Sequence, residues 1–232
     1  MLFIETRESR IPQARFSALD LEQKKFLWRD HAFEEPWWIN MTETAGTLVF
    51  FSVFQDQQSP DKKSLIAFDF EKCAIRWWRN NFALSSVSAN QVAGIDLMMG
   101  RKNIALELES GQTVNSPDLP QVRNFSISRP LHYYPGTEHF DTVSAFLGSK
   151  FDIIPVSLIE YLEYNSMVFI SCYIDRDGLA NFLFVLRSDG TVLLEEKLDD
   201  QLKGIGLDTF FIFSGYLIFV KNKTRLVSYK VV

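Results

Sequence analysis

Three stretches of the 232-residue chain carry residue types that can do chemistry. The richest is His132-Tyr133-Tyr134-Pro135-Gly136-Thr137-Glu138-His139-Phe140-Asp141, which holds two of the three histidines and two carboxylates. Pro135-Gly136 marks a turn between its halves. If a hairpin folds there, His139 and Asp141 share one strand face with His132 opposite, giving three ligand types that a transition metal accepts. The spacing matches no established metal motif. The competing expectation is a solvated loop in which His132, Tyr134, His139 and Asp141 contact a ligand, with no metal and no cofactor. A second stretch, Glu34-Glu35-Pro36-Trp37-Trp38, sets two carboxylates beside two indoles, as carbohydrate sites do. Read instead as a strand, it alternates Trp37 and Trp38 between faces and packs one of them in the core. Third, Asp96, Glu160 and Asp208 each follow a loop and open an apolar run. Either they form a cluster with raised pKa values and acid/base capability, or each accepts hydrogen bonds at a strand start. The sequence has no nucleophile elbow, phosphate-binding loop, dinucleotide fingerprint or HExxH motif.

These side chains need a scaffold, and the aromatic content points to its kind. The chain has 21 Phe, 7 Tyr and 5 Trp, gathered in short runs between turn residues, as pleated, half-buried surfaces require. Such runs cover residues 47–54, 167–173, 182–186, 210–213 and 216–220. The pairs Ser110-Gly111, Asp177-Gly178, Asp189-Gly190 and Ser214-Gly215 sit between runs, where hairpins turn. The expectation is an all-β protein with negligible helix. Asp20-Leu21-Glu22-Gln23 could open a helix as a capping box, but an internal repeat argues against it.

Ala18-Leu19-Asp20-Leu21-Glu22-Gln23-Lys24-Lys25-Phe26-Leu27-Trp28 aligns without gaps on the segment from Ala67 to Trp77, with Ala, Asp, Glu and Trp coinciding. Further copies start at Ala105 and Phe184, with a worn copy near Val143-Ser144-Ala145-Phe146 filling the gap. A period near 40 residues with short strands is the pattern of propeller blades. The copies resemble the repeat of quinoprotein-type propellers (PQQ-like repeats), Ala-x-Asp-x-x-Thr-Gly-x-x-x-Trp. Ala67, Asp69 and Trp77 fall on that pattern, as do Ala18, Asp20 and Trp28; Ala105, Ser110 and Gly111 match its other half. Lys24 and Cys73 stand where the repeat has Gly. The resemblance implies a ring of about five four-stranded blades in a single domain, residues 1–232, with six thin blades or an open barrel-like sheet as alternatives. It also implies that Trp28 and Trp77 dock, buried, between neighbouring blades. Quinoprotein chemistry does not carry over, because the chain has no adjacent cysteine pair.

Charge and length narrow the function classes. With 29 acidic against 24 basic residues the net charge is −5, so no basic field gathers nucleic acid. Cys73 and Cys172 stand far apart, either as reduced thiols or as one disulfide. The N-terminus is too short in apolar residues for a signal-peptide core, and no run reaches the ~18 apolar residues of a membrane helix. The expectation is a soluble, cytoplasmic protein without membrane insertion. Its function is read as a non-catalytic binding or scaffolding module for an unknown protein or small-molecule ligand, rather than an enzyme. The alternative is a carbohydrate-active hydrolase or lyase using channel-mouth carboxylates. The ligand-binding candidates are Trp37, Trp38, Asp96, His132, Tyr134, His139, Asp141 and Glu160.

Overall fold

Short runs of aromatic and β-branched residues separated by Asp, Asn and Gly leave little choice but strands and tight turns. The computed structural model describes residues 1–55, 62–98, 100–114 and 127–231, and it divides the chain into two compact units, Met1–Arg123 and Asn124–Val232. Among the described residues, five separate antiparallel sheets form. Those residues are all-β but for one helix.

The first unit holds three sheets, each a meander in chain order. They are β1 (Leu2–Glu8), β2 (Gln13–Asp20) and β3 (Lys25–His31); then β4 (Ile39–Ala45), β5 (Leu48–Phe54), β6 (Lys63–Asp69) and β7 (Ala74–Arg79); then β8 (Phe82–Val87), β9 (Gln91–Asp96), β10 (Lys102–Glu107) and β11 (Thr113–Val114). The middle sheet is buried on both sides. One face packs Val49, Phe51, Ile66 and Phe68 against Phe16 of the first sheet. The other packs Leu48, Phe50 and Leu65 against Phe82, Val92 and Leu106 of the third. Each fully buried aromatic or aliphatic side chain contributes about 1.5–3 kcal/mol, so this stacking dominates the unit's stability.

The repeat copies occupy equivalent hairpins. The Asp20 carboxylate accepts from the backbone N–H of Glu22 and Gln23, and the Asp69 carboxylate accepts from those of Glu71 and Lys72. Asp20 therefore closes a hairpin turn, not a helix. Lys24 (φ 54°), Cys73 (φ 52°) and Gly111 (φ 69°) all take left-handed backbone at the turns. The Trp28 indole N–H donates to the Phe70 carbonyl at 2.8 Å, and that of Trp77 donates to the Leu108 carbonyl at 2.8 Å. Phe70 and Leu108 hold the same position in successive copies. Each Trp thus fastens the outermost strand of its sheet to the turn of the next. Both are half-buried rather than buried, because β3 and β7 are sheet edges and one side of each ring stays wet.

The second unit begins with β12 (Ile127–Ser128), β13 (Leu131–Tyr133) and helix α1 (Glu138–Phe151). Then come β14 (Ile159–Tyr164), β15 (Met167–Asp175), β16 (Leu179–Arg187), β17 (Val192–Leu202), β18 (Phe210–Phe213), β19 (Tyr216–Lys221) and β20 (Arg225–Lys230). Two sheets result, ordered β13-β14-β15-β16-β17 and β12-β18-β19-β20. They pack through Phe169, Leu183, Val185 and Leu198 against Phe210, Ile212, Leu217 and Phe219. The opposite face of the five-stranded sheet is covered by α1 through Phe140 and Leu147.

That helix corrects two expectations, negligible helix and a worn repeat copy at residues 143–146. Thr137 is its N-cap and accepts from the Phe140 N–H; Glu138 and Asp141 sit in the first turn and Lys150 in the last. Phe140, Val143, Leu147 and Phe151 recur at helical spacing and all join one core cluster. Across the five sheets the strand number is three, four, four, five and four. Both cysteines are free thiols, Cys73 exposed and Cys172 buried. Among the described residues no helix is long and apolar enough to cross a membrane.

Candidate functional site

Among the described residues, one group of potential metal-ligating side chains converges in the second unit. Antiparallel pairing sets His132 of β13 opposite Glu160 of β14, and Glu160 opposite Ser171 of β15. Directly opposed residues point to the same face, so the three side chains form a row across three strands. The connection from β17 to β18 returns over this row. It is pinned at Gly206 by the Tyr173 hydroxyl, which donates to the carbonyl at 3.0 Å and accepts from the N–H at 2.8 Å. Two residues later Asp208 adopts left-handed backbone (φ 53°), and Thr209 follows.

Glu160 is fully buried. Its Oε2 accepts from the Thr209 hydroxyl and, at 3.1 Å, from the Thr209 N–H, which also reaches Oε1 at 3.3 Å. Since Thr209 donates its proton to the carboxylate, the Ser171 hydroxyl 2.8 Å away donates to Thr209, and Asn181 Nδ2 donates to Ser171 at 2.9 Å. The chain Asn181–Ser171–Thr209–Glu160 therefore points its protons toward the carboxylate. Burial pushes the Glu160 carboxyl pKa above its ordinary value, against the lowering pull of these donors and of His132. His132 Nε2 lies 3.2 Å from Asp208 Oδ1 and 3.6 Å from Glu160 Oε1, and Arg129 holds Asp208 Oδ2 at 2.9 Å. His132, Glu160 and Asp208 together could hold a metal ion. The buried Cys172 thiol, its pKa pushed up to about 12 by burial, stays protonated and inert.

The expected trio of His132, His139 and Asp141 does not form. Pro135-Gly136 leads into α1 rather than a hairpin, so His139 and Asp141 lie in the first helical turn, both exposed. His139 instead packs on Tyr133, with ring centroids 5.0 Å apart, at a shallow hollow of about 520 Å³ that Tyr161 and Glu163 also line. Tyr134 is exposed before the helix. In the first unit, Trp37 is half-buried and Trp38 exposed, so neither enters the core. The Arg7 guanidinium lies 5.1 Å over the Trp37 ring, and Glu35 accepts from the backbone N–H of both tryptophans, which uses that carboxylate to shape the loop. Asp96, at the end of β9, is buried and pairs with Arg79 of β7 at 3.2 Å.

Thr209, Ser171, Asn181 and Arg129 were not visible as site residues in the sequence. Ser171 and Asn181 carried a weak signal, as polar residues inside strands otherwise rich in Phe, Ile and Leu. A family model, "Domain of unknown function (DUF4905)", matches residues 1–77. Among curated proteins, none matches the sequence. Among solved structures, BamB from Moraxella catarrhalis is similar at 13% identity and a TM-score of 0.28, covering 98% of this chain and 78% of BamB. An acylaminoacyl peptidase from Pyrococcus horikoshii is similar at 11% identity and a TM-score of 0.29, covering 83% of this chain and 38% of the peptidase. At such low TM-scores neither likeness assigns a fold family or an activity to this chain.

Proposed function

We propose that this chain is a non-catalytic binding or scaffolding module, its small sheets arranged as one propeller-like domain. The observation that carries the reading is the make-up of the outermost strands. Phe26 and Leu27 on β3, Ile75 and Trp78 on β7, and Leu226 and Tyr229 on β20 are exposed, and Trp78 is 51% accessible. Lys25, Arg29, Arg76, Arg79, Arg225 and Lys230 share those strands. Aromatic residues and Arg are the types that dominate protein–protein contacts, and an edge strand adds unpaired backbone groups to them. A protein partner fits such edge strands, in either unit, better than a small ligand does. Meanwhile the carboxylates read as catalytic candidates hold structure: Glu35 shapes its loop, Asp96 pairs with Arg79, and Glu160 anchors Thr209.

The test is a broad glycoside and ester substrate screen on purified protein. The binding reading expects no turnover above background. Turnover that a Glu160→Gln variant abolishes would overturn it in favour of the carboxylate hydrolase.

A further inference from the structure

We propose that His132, Glu160 and Asp208 bind one divalent first-row transition cation of the Zn²⁺ type. Their three ligand atoms lie within 4.8 Å of one another, with Nε2–Oδ1 at 3.2 Å and Nε2–Oε1 at 3.6 Å. Ligands about 2.0–2.1 Å from a tetrahedral Zn²⁺ sit roughly 3.3–3.4 Å apart, so the two distances from the histidine are close to a coordination edge, and the carboxylates would close on a bound ion.

The hydrogen bonding agrees with the distances. His132 Nε2 is buried, yet among the described residues it has no hydrogen-bond partner despite two carboxylate oxygens nearby. Glu160 Oε1, at 3.6 Å, lies beyond hydrogen-bond distance, and Asp208 Oδ1, at 3.2 Å, lies within it yet forms no hydrogen bond. Each carboxylate is also held from outside, Asp208 Oδ2 by Arg129 and Glu160 chiefly at Oε2 by Thr209, whose N–H touches Oε1 only at 3.3 Å, while Oδ1 and Oε1 are the oxygens nearest the histidine. Such supporting hydrogen bonds are what orient metal ligands. Of the two carboxylate charges, Arg129 already pairs with that of Asp208, and a dication would offset the cost of burying the Glu160 anion. The His132 and Asp208 side chains are 27% and 35% accessible, so the outer side of the site is open for a water ligand.

The test uses the full chain stripped with a chelator and titrated with Zn²⁺ and, separately, Co²⁺. One equivalent of Zn²⁺ is expected to bind and raise the melting temperature. Co²⁺ should give visible d–d bands without a thiolate charge-transfer band, since Cys73 is no part of the site. His132→Ala and Asp208→Asn should each weaken binding at least ~10-fold. Asn tolerates left-handed backbone, so Asp208→Asn keeps the fold testable should His132→Ala lose it. Absence of stoichiometric binding to the folded wild type overturns the proposal. So does a thiolate band, or folded variants that bind as tightly as the wild type.

Discussion

A Cβ built on Gly111 would stand 2.6 Å from the Trp77 ring, and the residue already sits at φ 69°. Gly111→Ala is expected to cost at least about 1–2 kcal/mol for the left-handed backbone alone, with the ring clash added. Trp77→Phe removes the indole donor to the Leu108 carbonyl and should cost about 1 kcal/mol, and Trp77→Ala about 2–3 kcal/mol, below the 3–5 kcal/mol of a fully buried aromatic. Urea denaturation of the three variants checks the order, and a wild-type midpoint for all of them would refute the docking role. At Glu160 the prediction concerns pH. A carboxyl whose folded pKa is raised stabilises the fold below its unfolded value and loses that contribution as pH rises through the folded value. In chelator, the wild type should therefore fall in stability relative to Glu160→Gln as pH rises from about 4 toward neutrality. A constant gap between the two would contradict the burial account.

The elements differ in how far local sequence determines them. Strands and hairpins were legible because alternation and turn chemistry act over a few residues. Ser110-Gly111, Asp177-Gly178, Asp189-Gly190 and Ser214-Gly215 all turn between strands, each with a glycine at positive φ. Helix α1 was not legible, because Pro135-Gly136 reads equally as a hairpin turn or as the approach to an N-cap. The apolar spacing of Phe140, Val143, Leu147 and Phe151 was the signal that could have found it. Its start rests on one side chain, so Thr137→Ala should cost about 1 kcal/mol, measured by chemical denaturation with far-ultraviolet dichroism. No change would place the helix's stability wholly in its packing. The site was legible only in part. Glu160, Asp208 and His132 stood out singly as polar residues among apolar or aromatic neighbours. Their meeting depends on the β13–β14 register and on a loop returning from β17, which are long-range pairings that no local pattern encodes.

For the whole molecule, the repeat reading and the binding reading meet at the outermost strands. There Trp28 and Trp77 turn inward to fasten neighbouring sheets, while Phe26, Leu27, Ile75 and Trp78 face outward. Arg29, Arg76 and Arg79 on these strands are paired with carboxylates of the chain itself, so on the proposed reading the exposed aromatic and aliphatic side chains would meet an apolar face of a protein partner. Charging these strands should remove binding without unfolding the core, because outward-facing residues add little to stability. The most direct measurement is quantitative capture from native cell extract, comparing the wild type with an Ile75→Asp/Trp78→Asp double variant and a Leu226→Asp/Tyr229→Asp double variant of matched melting temperature. Purified binding of the captured protein then follows for each. The account predicts a partner held by the wild type and lost, at least tenfold in Kd, from one of the variants. Equal binding by all three proteins, or no specific partner for the wild type, would contradict it.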